Sequence, residues 1–333
     1  MSLRRPYLLF IGDARDDLAA KTAHGIVDWR RDWCVGKLSL PGCKATNIDL
    51  PEVSIDEAVE KGAGTLVVGV ANAGGVLPET WVETLVAALE AGLDVASGLH
   101  QRLADIPRIA DTAETNARLL FDARHPHRSF AVGTGKRRGG KRLLTVGTDC
   151  SVGKKYTALA IEGELHDRGH NVTFRATGQT GIFIAGGGIA VDAVVADFIS
   201  GAIEWLAPEN DPDHWDVIEG QGSLFHPSFA GVSMGLLHGA QADALVMCHE
   251  PTRTNMRGLK HQPLPDLAEC IRRNEEAARL VNPDARVVGV AVNTRSLDPD
   301  TAKTYLAELE DQLGLPCVDP MVTGVSAIVD KLV

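Results

Sequence analysis

Short apolar runs alternate with amphipathic segments along the chain, and turn residues separate them. In the first third, Tyr7–Ile11, Thr65–Val70 and Asp94–Gly98 read as buried strands, and 16–29 and 78–91 as helices. Strands that alternate with helices predict an α/β fold with a parallel sheet and right-handed crossovers. This part is Rossmann-like, but no G-x-G-x-x-G follows its first strand, so we predict no dinucleotide site there.

The alternation restarts after a glycine-rich basic segment, 133–142. Glycine-rich segments of this kind are typical of linkers between domains. We place the boundary at this segment, with one domain over 1–137 and a second over 138–333. The strands predicted in the second domain are Arg142–Val146, Asn171–Ala176, Asp216–Glu219, Ala244–Cys248 and Val287–Asn293, followed by a helix over Ala302–Leu313 and an edge strand over Pro316–Val318.

A phosphate-binding loop follows the first strand of the second domain. Gly147, Gly153 and Lys154 match G-x-x-x-x-G-K, and a predicted helix over 156–168 follows. In such loops backbone N–H groups surround an anion, and the helix N-terminus adds partial positive charge. Lys155 occupies the position of the Ser/Thr that usually holds Mg²⁺, so the loop predicts phosphate binding but not a standard NTPase. The residues predicted to bind the cofactor are Gly147, Thr148, Cys150, Ser151, Val152, Gly153, Lys154, Lys155 and Tyr156.

The predicted fold class is therefore α/β, with an N-terminal Rossmann-like parallel-sheet domain followed by a P-loop NTPase-like parallel-sheet domain. In open parallel sheets, ligands bind beyond the carboxyl ends of the strands. Polar residues accumulate at four such ends in the second domain: the loop itself, Thr177–Gly181, Glu219–Ser223 and His249–Arg253. We expect these four strand ends to converge.

Three residues at these ends are candidates for catalysis. Glu219 fits a Mg²⁺ ligand, a general base with a pKa raised by burial, or a structural carboxylate. Asp149 fits a ligand for a cationic group, a proton acceptor, or a residue that holds the loop. His249 fits an acid/base group or a structural histidine. These alternatives stay open at the level of sequence.

Four further residues are predicted to bind the substrate. Arginine guanidinium groups pair well with carboxylates and phosphates, which makes Arg175 and Arg253 candidates. Gln179 and Gln221 lie beside them at the same strand ends. In the first domain, the loop 71–75 also follows a strand, and it either completes a pocket or forms a packing turn.

Composition narrows the class of protein. The 333 residues carry a formal net charge of −11, which argues against nucleic acid or anionic membrane as a partner. No apolar run is long enough to span a membrane, and the six cysteines form no C-x-x-C and no zinc spacing. We therefore expect a cytoplasmic protein that acts on a small molecule and has no metal site of its own. We also expect a homo-oligomer, although composition does not determine the oligomeric state.

Two resemblances bear on function. The loop Gly147–Lys155 and the segment Glu219–Gly222 resemble P-loop proteins of the dethiobiotin synthetase type. Over the whole chain, a Rossmann-like domain followed by Gly-Thr-Asp-Cys-x-Val-Gly-Lys-Lys, Thr-Gly-Gln-Thr-Gly, Glu-Gly-Gln-Gly-Ser and His-Glu-Pro resembles the D-glutamate N-acetyltransferase family, long catalogued as a domain of unknown function. The second resemblance implies acetyl transfer from acetyl-CoA to the amine of D-glutamate, as a step of D-glutamate catabolism.

Two other hypotheses compete with the acetyltransferase. The first is an ATP- or GTP-dependent ligase or kinase of the dethiobiotin synthetase type that uses Mg²⁺, which Lys155 disfavours. The second is a non-catalytic nucleotide-binding regulator, which the carboxylates and histidine around the loop disfavour. Coenzyme A carries a pyrophosphate and a 3′-phosphate, so a phosphate-binding loop suits it without hydrolysis.

Overall fold

The structure is a computed structural model that describes residues 3–70, 76–126 and 128–333. It contains two compact units, one formed by Met1–His127 and Gly178–Ala193, the other by Arg128–Thr177 and Val194–Val333. The boundary between residues 137 and 138 stays a prediction. The loop 71–75, named above as part of a possible pocket, lies outside the described residues.

The first unit is built on one parallel sheet with the strand order β2-β1-β3-β4-β5. Its strands are β1 (Tyr7–Gly12), β2 (Cys34–Ser39), β3 (Thr65–Val68), β4 (Asp94–Ser97) and β5 (Leu120–Asp122). Its helices are α1 (Lys21–Arg30), α2 (Ile55–Glu60), α3 (Glu79–Glu90) and α4 (Pro107–Thr115), and α6 (Gln179–Ala185) also belongs to this unit.

The three strands predicted in this unit are confirmed as β1, β3 and β4. The predicted start of the first helix at residue 16 was wrong, because α1 begins at Lys21. The carboxylate of Asp16 accepts a hydrogen bond from the N–H of Ala19 at 2.7 Å, which holds a turn there instead. Strand β2 had no apolar run to reveal it, since most of its residues are half-buried.

The second unit contains a six-stranded parallel sheet with the order β11-β10-β9-β6-β8-β7. The strands are β6 (Lys141–Gly147), β7 (Val172–Arg175), β8 (Trp215–Ile218), β9 (Ala244–His249), β10 (Arg286–Val292) and β11 (Cys317–Val318). The helices are α5 (Lys154–Asp167), α7 (Ile199–Leu206), α8 (Ala230–Ala240), α9 (Leu267–Arg279), α10 (Pro299–Leu313) and α11 (Ser326–Val329).

All the strands predicted in the second unit are present, and the predicted edge strand is β11. Two parallel sheets with helices confirm the α/β class. Strands β8 and β9 are buried along their whole length, as expected where helices cover both faces of a parallel sheet. None of the described helices combines the length and the apolar content that crossing a membrane requires.

The strand order determines where the chemistry of the second unit lies. Because β9, β6, β8 and β7 are neighbours and run parallel, their carboxyl ends form one continuous edge. The loop after β6, and the polar segments after β7, β8 and β9, all begin at this edge. The expected convergence of four strand ends is therefore confirmed.

Candidate phosphate-binding and catalytic site

The loop between β6 and α5 presents a row of unpaired backbone donors. Gly153, just before the helix, has φ 105°, and Ser151 has φ 56°, both in the left-handed region. In the described part of the chain, the N–H groups of residues 151, 152, 153 and 154 donate to no other group. Four free N–H groups at the N-terminus of a 14-residue helix form a site for an anion.

Lys154 supplies the positive charge of this loop. Its side chain is buried, and its Nζ donates to the backbone oxygen of Asp149 at 2.8 Å. Burial lowers the pKa of this ammonium below its ordinary value, because a charge far from water lacks solvation. An anion that arrives in the loop would therefore stabilise the charged form of Lys154.

Asp149 holds the loop in place. Its carboxylate is fully buried and accepts three hydrogen bonds: Oδ1 from the N–H of Cys150 at 2.6 Å, and Oδ2 from Arg253 Nη1 at 2.8 Å and from the N–H of Arg257 at 2.7 Å. These contacts tie the carboxylate both to its own loop and to the segment after β9. The geometry thus favours the loop-holding alternative over a catalytic one.

Arg253 and Arg175 both lie in ion pairs. Arg253 Nη2 also donates to Glu250 Oε2 at 2.5 Å, and Arg175 Nε donates to the buried Asp216 at 2.7 Å. Burial on its own would lower the pKa of Arg253, but its two carboxylate partners raise it above the ordinary value. Among the described residues, Arg175 donates through Nε alone, whereas a substrate carboxylate would have to displace Glu250 in order to bind Nη2 of Arg253.

His249 lies at this edge of the sheet and has one ring nitrogen without a hydrogen-bond partner among the described residues. Its Nδ1 lies 3.2 Å from Thr148 Oγ1, and its Nε2 has no hydrogen-bond partner among the described residues. The ring stacks on Tyr305, with centroids 6.5 Å apart. Burial lowers the pKa of His249 to about 4, so the imidazole is neutral near pH 7. When Nδ1–H donates to Thr148, the lone pair of Nε2 can accept a proton.

Glu219 connects the ends of β7 and β8. The buried Oε2 accepts from the N–H of Thr177 at 3.0 Å, and the Thr177 hydroxyl donates to the backbone oxygen of Glu219 at 2.6 Å. Gln221 Nε2 donates to the same hydroxyl at 3.3 Å, and the N–H of Gly220 donates to Thr145 Oγ1 at 2.9 Å. Glu219 and Gln221 are thus positioned one strand away from the phosphate-binding loop.

Two contacts of the loop had no local sequence signal. The Ser223 hydroxyl donates to the backbone oxygen of Thr148 at 3.0 Å.

Ligand atoms of Asp149, Cys150 and His226 lie within 4.8 Å of one another, a grouping that could hold a metal ion. Both ring nitrogens of His226 are in hydrogen bonds, however, and burial raises the pKa of the Cys150 thiol. The ring nitrogens of His226 and the carboxylate of Asp149 are therefore already in hydrogen bonds, and the Cys150 thiol is held in its protonated form.

The remaining predicted residues are placed as follows. Lys155 Nζ lies 4.6 Å from the ring centre of Tyr156, on the first turn of α5. Gln179 begins α6 and belongs to the first unit, whereas the other candidates belong to the second. The structure thus brings the loop, Glu219, Gln221, His249 and Arg253 to one edge of one sheet.

Comparison with known proteins places this architecture in a family. Residues 129–329 match the family model DUF1611, described as a P-loop domain of unknown function, and residues 39–126 match its N-terminal Rossmann-like domain. The chain belongs to the DUF1611 family. The match confirms a Rossmann-like domain followed by a P-loop domain.

Relatives in this family extend over the whole chain. One is named D-glutamate N-acetyltransferase, from Tritonibacter scottomollicae, and is 54% identical over 330 residues, 99% of each chain. Another of the same name, from a Pseudoalteromonas species, is 50% identical over 332 residues, all of each chain. The crystal structure of a DUF1611 family protein from Anabaena variabilis superposes with a TM-score of 0.84 at 31% identity, covering 99% of each chain. The resemblance to the D-glutamate N-acetyltransferase family is thereby confirmed.

Proposed function

We propose that this protein is a D-glutamate N-acetyltransferase that uses acetyl-CoA as the donor. The observation that carries the proposal is 54% identity over 99% of the chain to an enzyme of that name. In the reaction, the amine attacks the thioester carbonyl, the C–S bond breaks and an amide C–N bond forms. The amine loses a proton, and coenzyme A leaves as the thiol.

The phosphate-binding loop suits the donor. Its four unpaired N–H groups and the buried Lys154 offer donors for the pyrophosphate of coenzyme A. Lys155 stands where a Mg²⁺-binding hydroxyl would be expected in an NTPase. This combination supports binding of a phosphate-bearing donor without hydrolysis of its phosphates.

His249 is the general base in this proposal, and Thr148 positions it. The neutral imidazole has Nε2 free to take the proton of the amine, while Nδ1 is held by the Thr148 hydroxyl. Bound phosphates and substrate carboxylates would raise the pKa of His249 from about 4 towards the working pH, because nearby anions stabilise the imidazolium. Glu219 then serves to hold the strand-end segments around the donor.

The glutamate carboxylates need cationic or amide partners. Gln221 and Arg253, which lie at the edge of the sheet that carries the phosphate-binding loop, are the residues we propose for this role. Arg175, whose Nε pairs with Asp216 near the start of β8, and Gln179, in the first unit, stay predictions. For Arg253 the proposal requires that a substrate carboxylate replace Glu250, the more exposed of its two acidic partners.

An acetyl-transfer assay tests the proposal. The purified protein is incubated with acetyl-CoA and D-glutamate, and release of the coenzyme A thiol is followed, with L-glutamate and no amine as controls. We expect thiol release that depends on D-glutamate. Thermal shift with acetyl-CoA and with ATP–Mg²⁺ separates the ligase or kinase alternative: stabilisation by ATP–Mg²⁺ alone, with no thiol release, would refute the acetyltransferase.

A further inference from the structure

A cleft of about 770 Å³ lies in the second unit, between α10 and the segment that follows β11. Its walls include the side chains of Leu297, Leu306, Val318 and Val322. Small-molecule sites commonly have volumes of roughly 300–1,000 Å³ and largely apolar walls. Nothing in the proposed mechanism so far uses this cleft.

Two unpaired cations stand at one end of the cleft. Arg295 and Lys303 both line it and are exposed, and neither side chain has an ion pair or a hydrogen bond among the described residues. Elsewhere in the second unit several arginines are in ion pairs, among them Arg175 and Arg272. The two positive charges thus have no partner within their own unit.

The described acidic groups near the cleft form no ion pair with these cations. Asp298 accepts hydrogen bonds from the N–H and hydroxyl of Thr301, in its own helix. The buried Asp319 accepts from Thr294 and from the N–H of Met321. Glu310 lines the cleft seven residues after Lys303, which is about 10 Å further along the helix. The end of the cleft with Arg295 and Lys303, called the cationic end, therefore holds two cations that no carboxylate pairs with directly, although the buried Asp319 also lines the cleft.

The cationic end lies on the same sheet edge as the phosphate-binding loop. Arg295 follows β10, and β10 is two strands from β6, about 10 Å at ordinary strand spacing. The strand between them, β9, ends in His249, whose ring stacks on Tyr305 of α10. Loop, histidine and cleft thus follow one another along a single edge.

We propose that this cleft binds the 3′-phosphoadenosine part of acetyl-CoA. The adenine packs on the apolar walls, Arg295 and Lys303 bind the 3′-phosphate, and the loop at Lys154 binds the pyrophosphate. This rests on the proposed function, in which acetyl-CoA is the donor. It adds a basis for specificity, because ATP and dephospho-CoA carry no 3′-phosphate.

Donor kinetics test the assignment. KM is measured for acetyl-CoA and for acetyl-dephospho-CoA in the wild type, in the double variant Arg295→Ala/Lys303→Ala, and in Arg286→Ala. Arg286 is the matched control, because it is an exposed arginine at the start of β10, whereas Arg295 follows the end of that strand. Far-UV circular dichroism and Tm verify that each variant is folded.

In the wild type and in Arg286→Ala, we expect KM for acetyl-CoA to be at least about tenfold below that for acetyl-dephospho-CoA, as charge-assisted hydrogen bonds to a phosphate allow. The double variant should raise KM for acetyl-CoA to the level of the dephospho donor and leave kcat unchanged. Equal KM values for the two donors in the wild type, or an unchanged ratio in the double variant, would overturn the assignment.

Calorimetry tests ligand binding by the cleft independently of the acetyl-transfer reaction. Adenosine 3′,5′-bisphosphate is titrated into the same three proteins. Weaker binding by the double variant alone upholds the cleft even if no acetyl transfer is found. Equal binding by all three proteins, with normal acetyl transfer, overturns the cleft and leaves the proposed function intact.

Discussion

Asp149 and Arg253 form a buried ion pair, with Oδ2 and Nη1 2.8 Å apart, that joins the phosphate-binding loop to the segment after β9. The side chain of Asp149 is fully buried and that of Arg253 is 17% exposed. Arg253 also donates to the backbone oxygen of Cys150 at 2.6 Å. The shape of the loop therefore depends on a contact between residues 104 positions apart in sequence.

Removal of this carboxylate should destabilise the protein. Asp149→Ala leaves the Arg253 charge short of a buried partner, and we expect the free energy of unfolding to fall by about 3 kcal/mol. Urea denaturation measures the change. The control is Arg272→Ala, which removes half-exposed ion pairs to Glu269 and Glu276 and should cost far less, because water screens exposed pairs. Equal losses of unfolding free energy in the two variants would show that the Asp149–Arg253 pair does not stabilise the fold more than an exposed pair does.

Lys154→Ala should weaken binding of acetyl-CoA. The variant lacks the ammonium that faces the anion site, and we expect a loss of about 2 kcal/mol, roughly a thirtyfold rise in Kd by calorimetry. Lys141→Ala is the control, because Lys141 begins β6, at the end of the strand opposite to the loop, and its Nζ lies 5.5 Å from the Trp215 ring centre. Unchanged Kd in Lys154→Ala would remove the loop from the donor site.

The buried imidazole of His249 predicts a loss of stability in acid. Its pKa is about 4 in the folded protein and near 6.5 when unfolded, so the unfolded chain binds more protons between these values. Stability should fall as the pH drops from 6.5 to 4, with about 3 kcal/mol due to this group. Denaturation series at several pH values should show a shallower fall in His249→Gln. Parallel pH curves for variant and wild type would contradict the burial argument.

Activity should depend more on His249 than on Glu219. We expect His249→Gln to lower kcat by roughly 10² to 10⁴-fold with little change in KM for acetyl-CoA, because it removes a proton acceptor. Thr148→Val should lower kcat less, and Thr148→Ser should restore it.

The pH profile should also report on His249. The acid limb of kcat/KM should lie near pH 4, and the acid limb of kcat should lie at a higher pH, because bound anions raise the pKa of His249. A larger loss of kcat in Glu219→Gln would assign the base to the carboxylate.

In the first unit, Gly12 lies against Trp81. Gly12 has φ 55°, and a Cβ there would approach the Trp81 ring to 2.6 Å, while Trp81 Nε1 donates to Asp13 at 2.7 Å. We expect Gly12→Ala to cost about 2 kcal/mol more in unfolding free energy than Gly62→Ala. Gly62 has φ 80° and open space around it, so it controls for backbone strain alone. Equal costs, measured by urea denaturation, would mean that the ring moves aside freely.

The parts of this fold that are local in sequence could be predicted. The loop Gly147–Lys154 was recognisable because strand, glycines and helix are consecutive, and the parallel topology then placed Glu219 and His249 beside it. Contacts between distant segments could not be predicted from periodicity. The pair Asp149–Arg253 and the place of Gly178–Ala193 in the first unit depend on tertiary packing that no short pattern encodes.

The central claim is tested most directly by the product. The protein is incubated with D-glutamate and isotopically labelled acetyl-CoA, without ATP and with EDTA, and the products are identified by mass spectrometry. The account predicts labelled N-acetyl-D-glutamate in amounts equal to the coenzyme A released, and much less of both with Lys154→Ala. Product that forms only when ATP and Mg²⁺ are added, or no acetylated amine at all, would contradict it.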